Sequence, residues 1–375
     1  MNALRTPFGR TPVLLVVVMG ILFLGVLLVA KPPSPAEAQR VPGYFGTGYV
    51  GSETCAACHQ QKYDTFRSTG HPVKLRTAAE AQAAGLPKPD YIASWNDVSL
   101  VVGGFRWKVR YVNQEGYFYT GSPDGKITGR NQYNLETGAW SNWNAGLKVP
   151  YDCGECHTTG YVPVGNQFRK PGFVGSWAFN GIQCEACHGA GRLHASKPTK
   201  TNIKIDRRAE ACGACHRRGT DMGVIPAKAG PWIDHRPTYM EHLAGPHKTL
   251  TCVTCHDPHR RAREIKPAGT CESCHTTQAT AYRGSKHQRA AITCTNCHMP
   301  NIVQNATVVR SKYEADEPTH LVKINTDPTA RMFTPDNRFV AAGSVTLEYA
   351  CLRCHTDRNQ AWAAGVARGI HRLGK

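Results

Sequence analysis

The most apolar part of the chain is an uninterrupted hydrophobic run at residues 13–30, VLLVVVMGILFLGVLLVA, which follows Arg5 and Arg10. A basic start, an apolar stretch and a small-residue cleavage site are the three parts of a secretory signal peptide. Ala36 and Ala38 supply such a site in KPPSPAEAQ. The pattern therefore predicts an exported chain whose signal peptide, residues 1–38, is removed after Ala38.

The same run has a second interpretation as an uncleaved N-terminal anchor. Its 18 residues are just enough to cross a bilayer as a helix. Only in that case do we expect a membrane among the partners of the protein. Both interpretations place the remainder of the chain outside the cytoplasm, in the periplasm or at the cell surface.

Residues 105–112, FRWKVRYV, alternate strictly between apolar side chains and the basic Arg106, Lys108 and Arg110. This period of two is that of a half-buried β-strand. The turn sequence NQEG and the apolar segment YFYTG follow, which predicts a β-hairpin, and NQYNLETGAWSNW predicts further short strands. We therefore assign residues 91–149 to a small β-rich insert. Its aromatic side chains either pack on the core, the simpler interpretation, or form a docking or sugar-binding patch.

The cysteines introduce a third pattern. All sixteen occur in C-x-x-C pairs, and a histidine follows each of the eight pairs directly. Disulfides are the first expectation in an exported chain, but they require no histidine. Zinc sites usually take two pairs per metal, without a fixed histidine after each. C-x-x-C-H is the attachment sequence of c-type haem, so the sequence predicts eight covalently bound haem c groups.

Each motif supplies two thioether cysteines and one proximal iron ligand. The cysteines are Cys55, Cys58, Cys153, Cys156, Cys184, Cys187, Cys212, Cys215, Cys252, Cys255, Cys271, Cys274, Cys294, Cys297, Cys351 and Cys354. The proximal ligands are His59, His157, His188, His216, His256, His275, His298 and His355.

Nine further histidines remain, one more than eight irons need as sixth ligands. Methionine is the alternative ligand. Packing against porphyrin suits the methionines after the signal segment better: Met222, Met240, Met299 and Met332. We therefore expect bis-histidine ligation throughout. His259 lies only three residues after His256, too close to reach the far side of its own haem, so we expect it to bind a neighbouring iron and fix the spacing of two haems.

The spacing of the motifs predicts the architecture. A 93-residue interval separates the first two motifs, and the other intervals are 14 to 52 residues long. We expect a first haem segment at residues 39–90 and a seven-haem segment at residues 150–375, packed together as one haem-cored unit. The fold class is mainly irregular and α, with short helices around a haem array and the small hairpin insert.

The formal charge of +18 does not include the charges of the expected haem groups. Removal of residues 1–38 takes away three positive charges and one negative charge and leaves +16. Eight ferric haems with ionised propionates remove roughly 8 charges, and eight ferrous haems remove roughly 16. The basic residues therefore serve largely to neutralise propionates, and nucleic acid is not an expected partner.

Several stretches resemble the multihaem c-type cytochromes related to the tetrahaem cytochrome of nitrification. They are YVGSETCAACH, TFRSTGH, YDCGECHTTGY, GIQCEACHGAGRLH, AGPHKTLTCVTCHDPH, SKHQRAAITCTNCHMP, TLEYACLRCH and WAAGVARGIH. The resemblance implies distal iron ligands at His71, His194, His247, His259, His287, His320 and His371. His235 also fits the family pattern, whereas His242 has no counterpart and is left as the spare.

The resemblance implies electron transfer, in some members at the cell surface, with donor and acceptor proteins as partners. Wider relatives form haem filaments, but no residue here indicates a homo-oligomer or filament. The alternative is an octahaem oxidoreductase that acts on small nitrogen or sulfur compounds at one five-coordinate haem. We favour the carrier over the enzyme, and assign no catalytic residue, because the histidines suffice to ligate every iron.

Overall fold

The computed structural model describes residues 48–228, 231–266 and 269–371. The apolar run and the cleavage site predicted within residues 1–38 lie outside this part of the chain. Across the described ranges, no helix combines the length and the hydropathy that a bilayer crossing requires.

The helices are short, and each of the eight C-x-x-C-H motifs overlaps a helical turn at least in part. The α-helices are Ser52–Arg67, Ala78–Ala83, Gly154–His157, Cys184–His188, Arg192–Ser196, Ala209–Gly213, Thr238–Ala244, Cys252–Cys255, Cys271–Cys274, Thr276–Tyr282, Lys286–Arg289, Cys294–His298 and Gln360–Ala367, and a π-helix spans Glu348–Leu352. Residues three and four apart share one face of a helical turn. Such a turn therefore presents both thiols and the histidine of a motif to one ligand.

Eleven strands form three sheets in the described residues. They are β1 Leu75–Thr77, β2 Val98–Gly103, β3 Lys108–Asn113, β4 Gln132–Asn134, β5 Ala139–Ser141, β6 Thr158–Thr159, β7 Phe179–Asn180, β8 Ala227–Lys228, β9 Trp232–Asp234, β10 Asn301–Val309 and β11 Glu314–Pro318. The sheet orders are β1-β2-β3-β4-β5, β11-β10-β9-β8 and β6-β7. The architecture is thus mixed, with more sheet than the mainly irregular and α fold expected from the sequence.

The predicted hairpin differs from the pairing found. Strand β3 covers most of the alternating stretch, and its antiparallel partners are β2 and β4. The segment after the NQEG turn joins only the end of β3, through the Val112–Phe118 bridge and through hydrogen bonds that the N–H groups of Asn113 and Tyr119 donate to the carbonyl oxygens of Tyr117 and Tyr111. The NQYNLETGAWSNW stretch contains β4 and β5. The period of two in the sequence located β3. The choice of its partner strand depends on packing, because β2 is buried on both sides.

Both faces of the five-stranded sheet are covered by apolar side chains. Leu100 and Val112 pack with Phe173 and Trp177 in one cluster. Val98, Val109 and Tyr111 pack in another. The alternation holds at the buried Val109 and Tyr111, whereas Phe105 is 44% exposed. The sheet is therefore well packed on both faces, and one of these faces lies beside the second motif.

The four-stranded sheet has no counterpart in the sequence-based expectations. β9 pairs with β10 in parallel, Val303 opposite Ile233, although about seventy residues separate them. The buried Trp232, Ile233, Ile302 and Val303 form its core with Met240 and Met332. Long-range pairing of this kind leaves no local period, and the strand sequence EADEP has low β-propensity.

A buried carboxylate joins the first and third motifs. Glu185, the second residue of CEACH, is 2% exposed. Its oxygens accept hydrogen bonds from the backbone N–H groups of Val50, Gly51 and Gly191 at 2.7 to 3.1 Å. Gly51 is the N-cap of the Ser52–Arg67 helix. Glu185 therefore fixes where the first motif begins relative to the third.

Replacement of this carboxylate tests the contact between the first and third motifs. Glu185→Gln keeps the size but puts an NH₂ group where two N–H donors converge, so we expect the free energy of unfolding to fall by about 2 kcal/mol. Urea unfolding followed by far-UV circular dichroism gives the value. Glu272→Gln is the matched control, because Glu272 has the same place in CESCH but is exposed. Equal midpoints for the two variants would contradict the role given to Glu185.

Candidate haem-binding site

Seven of the eight motif histidines have a second imidazole ring directly opposite. The ring centroids of each pair are 5.9 to 6.3 Å apart. The pairs are His59 with His194, His71 with His216, His188 with His259, His247 with His275, His256 with His320, His287 with His355, and His298 with His371. Every pair therefore combines one motif histidine with one of the seven histidines singled out by the family resemblance.

The separation fits one metal ion between two imidazoles. Metal–nitrogen bonds of about 2 Å on each side, plus roughly 1 Å from each nitrogen to its ring centre, give a centroid distance of about 6 Å. Direct hydrogen bonds or ring stacking would bring the rings closer. The angle between ring planes varies from 9° for His188 and His259 to 89° for His71 and His216, so the distance is the shared feature.

The second histidine of each pair comes from beside a different motif. His259 follows CVTCH but opposes His188 of CEACH, at 6.2 Å, while His256 of its own motif opposes His320. His194 follows CEACH and opposes His59 of the first motif. Each pair consequently ties two distant segments of the chain together.

Several rings are oriented by a hydrogen bond at Nδ1, which leaves Nε2 free for a metal. The Nδ1 atom of His188 lies 2.7 Å from the carbonyl oxygen of Lys204, and that of His298 lies 2.8 Å from that of Val322. His259 Nδ1 lies 3.0 Å from a carboxylate oxygen of Asp257. These contacts set both the direction and the tautomer of the ring.

Burial keeps the central imidazoles neutral. It lowers the pKa of His71 to about 3, and those of His216 and His320 to about 4. These rings lose their proton well below neutral pH. A metal-binding imidazole must offer a lone pair, so the neutral form is the one required.

The chemistry of the donors fits haem better than a bare ion. All sixteen cysteines are free. In the described ranges, no three His, Cys, Asp or Glu side chains gather as a metal site. The two imidazoles of a pair would supply two of the ligands of an iron, and a porphyrin would supply four further nitrogens. The adjacent thiols of each motif would then hold that porphyrin covalently.

His157 of the second motif is different. No second imidazole opposes it among the residues that the structure describes. Its Nδ1 atom lies 3.3 Å from the carbonyl oxygen of Lys74. Burial and the nearby charges of Lys74 and Arg236 lower the pKa of His157 to about 3. The two remaining histidines, His235 and His242, make no ring contact with a motif histidine in that part of the chain.

His235 has another set of neighbours. Its Nδ1 atom lies 3.0 Å from a carboxylate oxygen of Asp234, which also binds Arg218 at 2.8 Å. His242 lies on the Thr238–Ala244 helix, and its Nε2 atom is buried without a hydrogen-bond partner in the protein. Within the described residues, neither His235 nor His242 therefore has a motif histidine ring about 6 Å away, as the seven pairs do.

Basic side chains from separate segments surround the second motif. Arg236 has a φ of 70°, in the left-handed region, and its Nε atom is buried without a partner. Burial lowers the pKa of Arg110 to about 10 and that of Lys108 to about 7. Glu317, whose charge acts on Lys74, has a pKa raised by burial to about 7. The basic face of β3 therefore points towards this site.

Sequence reasoning missed this group of residues. Lys108 and Arg110 stood out as the polar side of a strand, with no sign of what they faced. Lys74, Arg236 and Glu317 belong to no motif. Only the packing of the two larger sheets brings these segments together, so no sequence signal could have found them.

Two family models match parts of the chain. The model described as Cytochrome c3 matches residues 176–276, and that described as Cytochrome c554 and c-prime matches residues 130–189. The multiheme cytochrome MtrA of Shewanella baltica (strain OS185) is 26% identical over 136 residues, which cover 32% of this chain and 36% of that protein. The chain thus matches about a third of this relative's length.

Two solved structures have a similar fold. The octaheme sulfite reductase MccA of Wolinella succinogenes superposes with a TM-score of 0.58 at 16% identity, over 84% of this chain and 66% of that one. The outer cell wall cytochrome OcwA superposes with a TM-score of 0.55 at 20% identity, over 85% and 86%.

Proposed function

Because the chain is a multihaem c-type cytochrome, we propose that it transfers electrons outside the cytoplasm through eight covalently attached haems. The observation that carries the proposal is the set of seven imidazole pairs at a common separation near 6 Å. An iron with two histidine ligands has no free position for a substrate, so it can only accept and donate electrons. Haem supplies the redox chemistry, and the chain supplies ligation, spacing and burial.

In this proposal, the motif histidine of each pair is the proximal ligand and the other histidine is the distal ligand. The distal ligands are His71, His194, His247, His259, His287, His320 and His371. Burial of the imidazoles would favour the less charged ferrous state of a bound haem iron, and a carboxylate partner such as Asp257 on His259 would favour the ferric state. These contacts would set different potentials along the molecule.

Contacts between motifs support an order for the electron path. The thiols of Cys55 and Cys184 are close enough to shift each other's pKa, as are those of Cys212 and Cys252. Cys187 of the third motif lies within electrostatic range of Cys212 of the fourth. The first half of the path therefore runs from motif one through motifs three and four to motif five.

The second half continues in chain order. The thiol of Cys255 neighbours that of Cys274, and Cys297 neighbours Cys354. The sulfur of Cys294 lies 3.7 Å from a carboxylate oxygen of Glu272 in the sixth motif. Motifs five, six, seven and eight thus follow one another. Electrons would enter at one end of this series and leave at the other.

The second motif lies beside this series. The thiols of Cys156 and Cys215 are close enough to shift each other's pKa, and Arg217 binds Glu155 at 3.2 Å. A haem on the second motif would therefore exchange electrons with that on the fourth. It would be a branch that leads to His157, which no second imidazole opposes within the described residues.

This branch favours a second candidate function, reduction of a small nitrogen or sulfur compound at the haem of His157. His157 would hold a haem there without a second imidazole opposite it in the described residues, and the charges of Lys74, Arg110 and Arg236 act on this histidine. A cationic surrounding stabilises a bound anion. The similar fold of a protein described as a sulfite reductase makes sulfite, together with nitrite, a reasonable first ligand to test.

Export completes the proposal. The signal segment predicted at residues 1–38 and the attachment of haem c both indicate a location beyond the cytoplasm, and OcwA is described as an outer cell wall cytochrome. We propose the periplasm or the cell surface as the location.

Haem quantification and EPR of the ferric protein test both functions. We expect eight haems per chain, seven low-spin signals from bis-histidine irons and one signal of a different kind from the haem of His157. Eight low-spin irons that bind no added anion would refute the second function. Fewer than eight haems would refute the assignment of all eight motifs.

Removal of one distal histidine tests the pairing. In His259→Gly, the iron attached at CEACH loses its sixth ligand, so we expect one additional high-spin signal that added imidazole removes. His242→Gln is the matched control and should leave the spectrum unchanged. A high-spin signal in the control, or none in His259→Gly, would contradict the ligand assignment.

Anion titration tests the branch. Added nitrite or sulfite should change the EPR signal of the haem held by His157. Arg110→Gln should weaken the apparent affinity for the anion about tenfold, which corresponds to about 1.4 kcal/mol. Arg106→Gln is the control, because Arg106 precedes β3 and pairs with Glu136 at 3.3 Å. Equal affinities in both variants would remove Arg110 from the site.

A further inference from the structure

One exposed segment of the chain is unusually basic. Within residues 192–208, RLHASKPTKTNIKIDRR, six cationic side chains are exposed, and Asp206 is the single acidic residue. The cations are Arg192, Lys197, Lys200, Lys204, Arg207 and Arg208.

Most of these cations have no carboxylate partner among the described residues of the chain. Asp206 binds Arg208 at 2.7 Å and lies 3.8 Å from Lys204. The other four cations, at positions 192, 197, 200 and 207, form no ion pair with a carboxylate in the described part of the chain. Exposed charge of one sign attracts partners of the opposite sign and raises the rate of encounter.

Two apolar side chains lie within the same segment. Leu193 is 60% exposed and Ile205 is 55% exposed. Protein interfaces commonly combine an apolar centre with a charged rim, in which the charges guide the approach and the apolar contact excludes water. Segment 192–208 has both parts.

The segment also contacts two proposed haem sites directly. It contains His194, whose ring lies 6.3 Å from that of His59. The carbonyl oxygen of Lys204 lies 2.7 Å from Nδ1 of His188 in the third motif. The first motif is at one end of the series of motif contacts, so an electron entering or leaving the series there would pass beside this segment.

We propose that segment 192–208 is the docking surface for an acidic redox protein, which exchanges electrons with the haem held by His59 and His194. The proposal rests on the electron-transfer function above. The occupant is a redox protein, and not a lipid surface, because a charged and apolar surface beside the terminal haem of an electron path is productive only with a redox-active partner. Acidic side chains of the partner would meet the four unpaired cations.

Stopped-flow reduction of the full-length holoprotein tests the surface, with flavodoxin hydroquinone as the acidic donor. The variant Lys197→Glu, Lys200→Glu, Arg207→Glu reverses three exposed charges. At low ionic strength we expect its second-order rate constant to fall at least about tenfold, and the difference to shrink as salt is added.

A second triple variant controls for net charge. Lys126→Glu, Arg310→Glu, Lys312→Glu changes the charge by the same amount at exposed positions near the β-sheets. We expect its rate to stay within about threefold of the unmodified protein. Equal rate losses in both triple variants, or none in either, would overturn the proposal.

Photoreduced riboflavin separates this proposal from the function on which it rests. It should reduce all haems in every variant at similar rates, because a small donor needs no docking surface. If riboflavin reduces the haems but the rate constant with flavodoxin is unchanged by the charge reversal, the electron-transfer function is supported and the docking surface is refuted. If neither donor reduces the haems, the proposed function itself fails.

Carbodiimide cross-linking of the flavodoxin complex locates the contact. We expect cross-links at Lys197, Lys200 and Lys204, and their predominance at Lys126 or Lys312 would overturn the proposal. Binding to phosphatidylserine vesicles is a separate measurement. Vesicle binding that the first triple variant abolishes, with unchanged flavodoxin rates, would assign the surface to lipid and refute the redox partner.

Discussion

The opposition of two imidazoles at about 6 Å is the constraint on which the rest of the structure depends. Each pair sets a motif histidine opposite a histidine beside a different motif, so in the proposed holoprotein an iron held by both rings would cross-link distant segments. In a loop-rich chain with short helices, such cross-links would replace part of what a large aliphatic core does in an ordinary domain. In the proposed holoprotein, the bond between histidine and iron is therefore both the redox centre and the main tertiary contact.

The remaining elements support this arrangement. The five-stranded sheet is buried on both faces and backs the second motif, where the polar side of β3 faces inward. The four-stranded sheet holds residues 232–236 and the segment that leads to His320. Glu185 is a smaller example of the same principle, since one carboxylate fixes the first motif to the third through three backbone N–H groups. A few buried contacts thus fix the positions of the loops.

The second motif combines features that the other seven lack. Its histidine has no opposing ring in the described residues, it contacts the series of motifs at the fourth, and its surroundings are cationic. A branch of this kind is compatible with conduction through the haems proposed at the other seven motifs, because the main series does not pass through it. The two proposed functions are therefore not exclusive, and a conductor can deliver electrons to a chemical site at its side.

The sequence by itself determined the cofactor chemistry, because thiols and a histidine at fixed spacing are a local requirement of haem attachment. It also indicated strand β3 and the short helices at the motifs, which depend on local period and spacing. The family resemblance supplied seven histidines that the structure sets opposite motif histidines. Only the tertiary structure decided which rings meet, that β3 pairs with β2 and β4, and that Lys74, Arg110 and Arg236 converge on His157. These contacts join residues far apart in the chain, and their geometry depends on packing that no local pattern records.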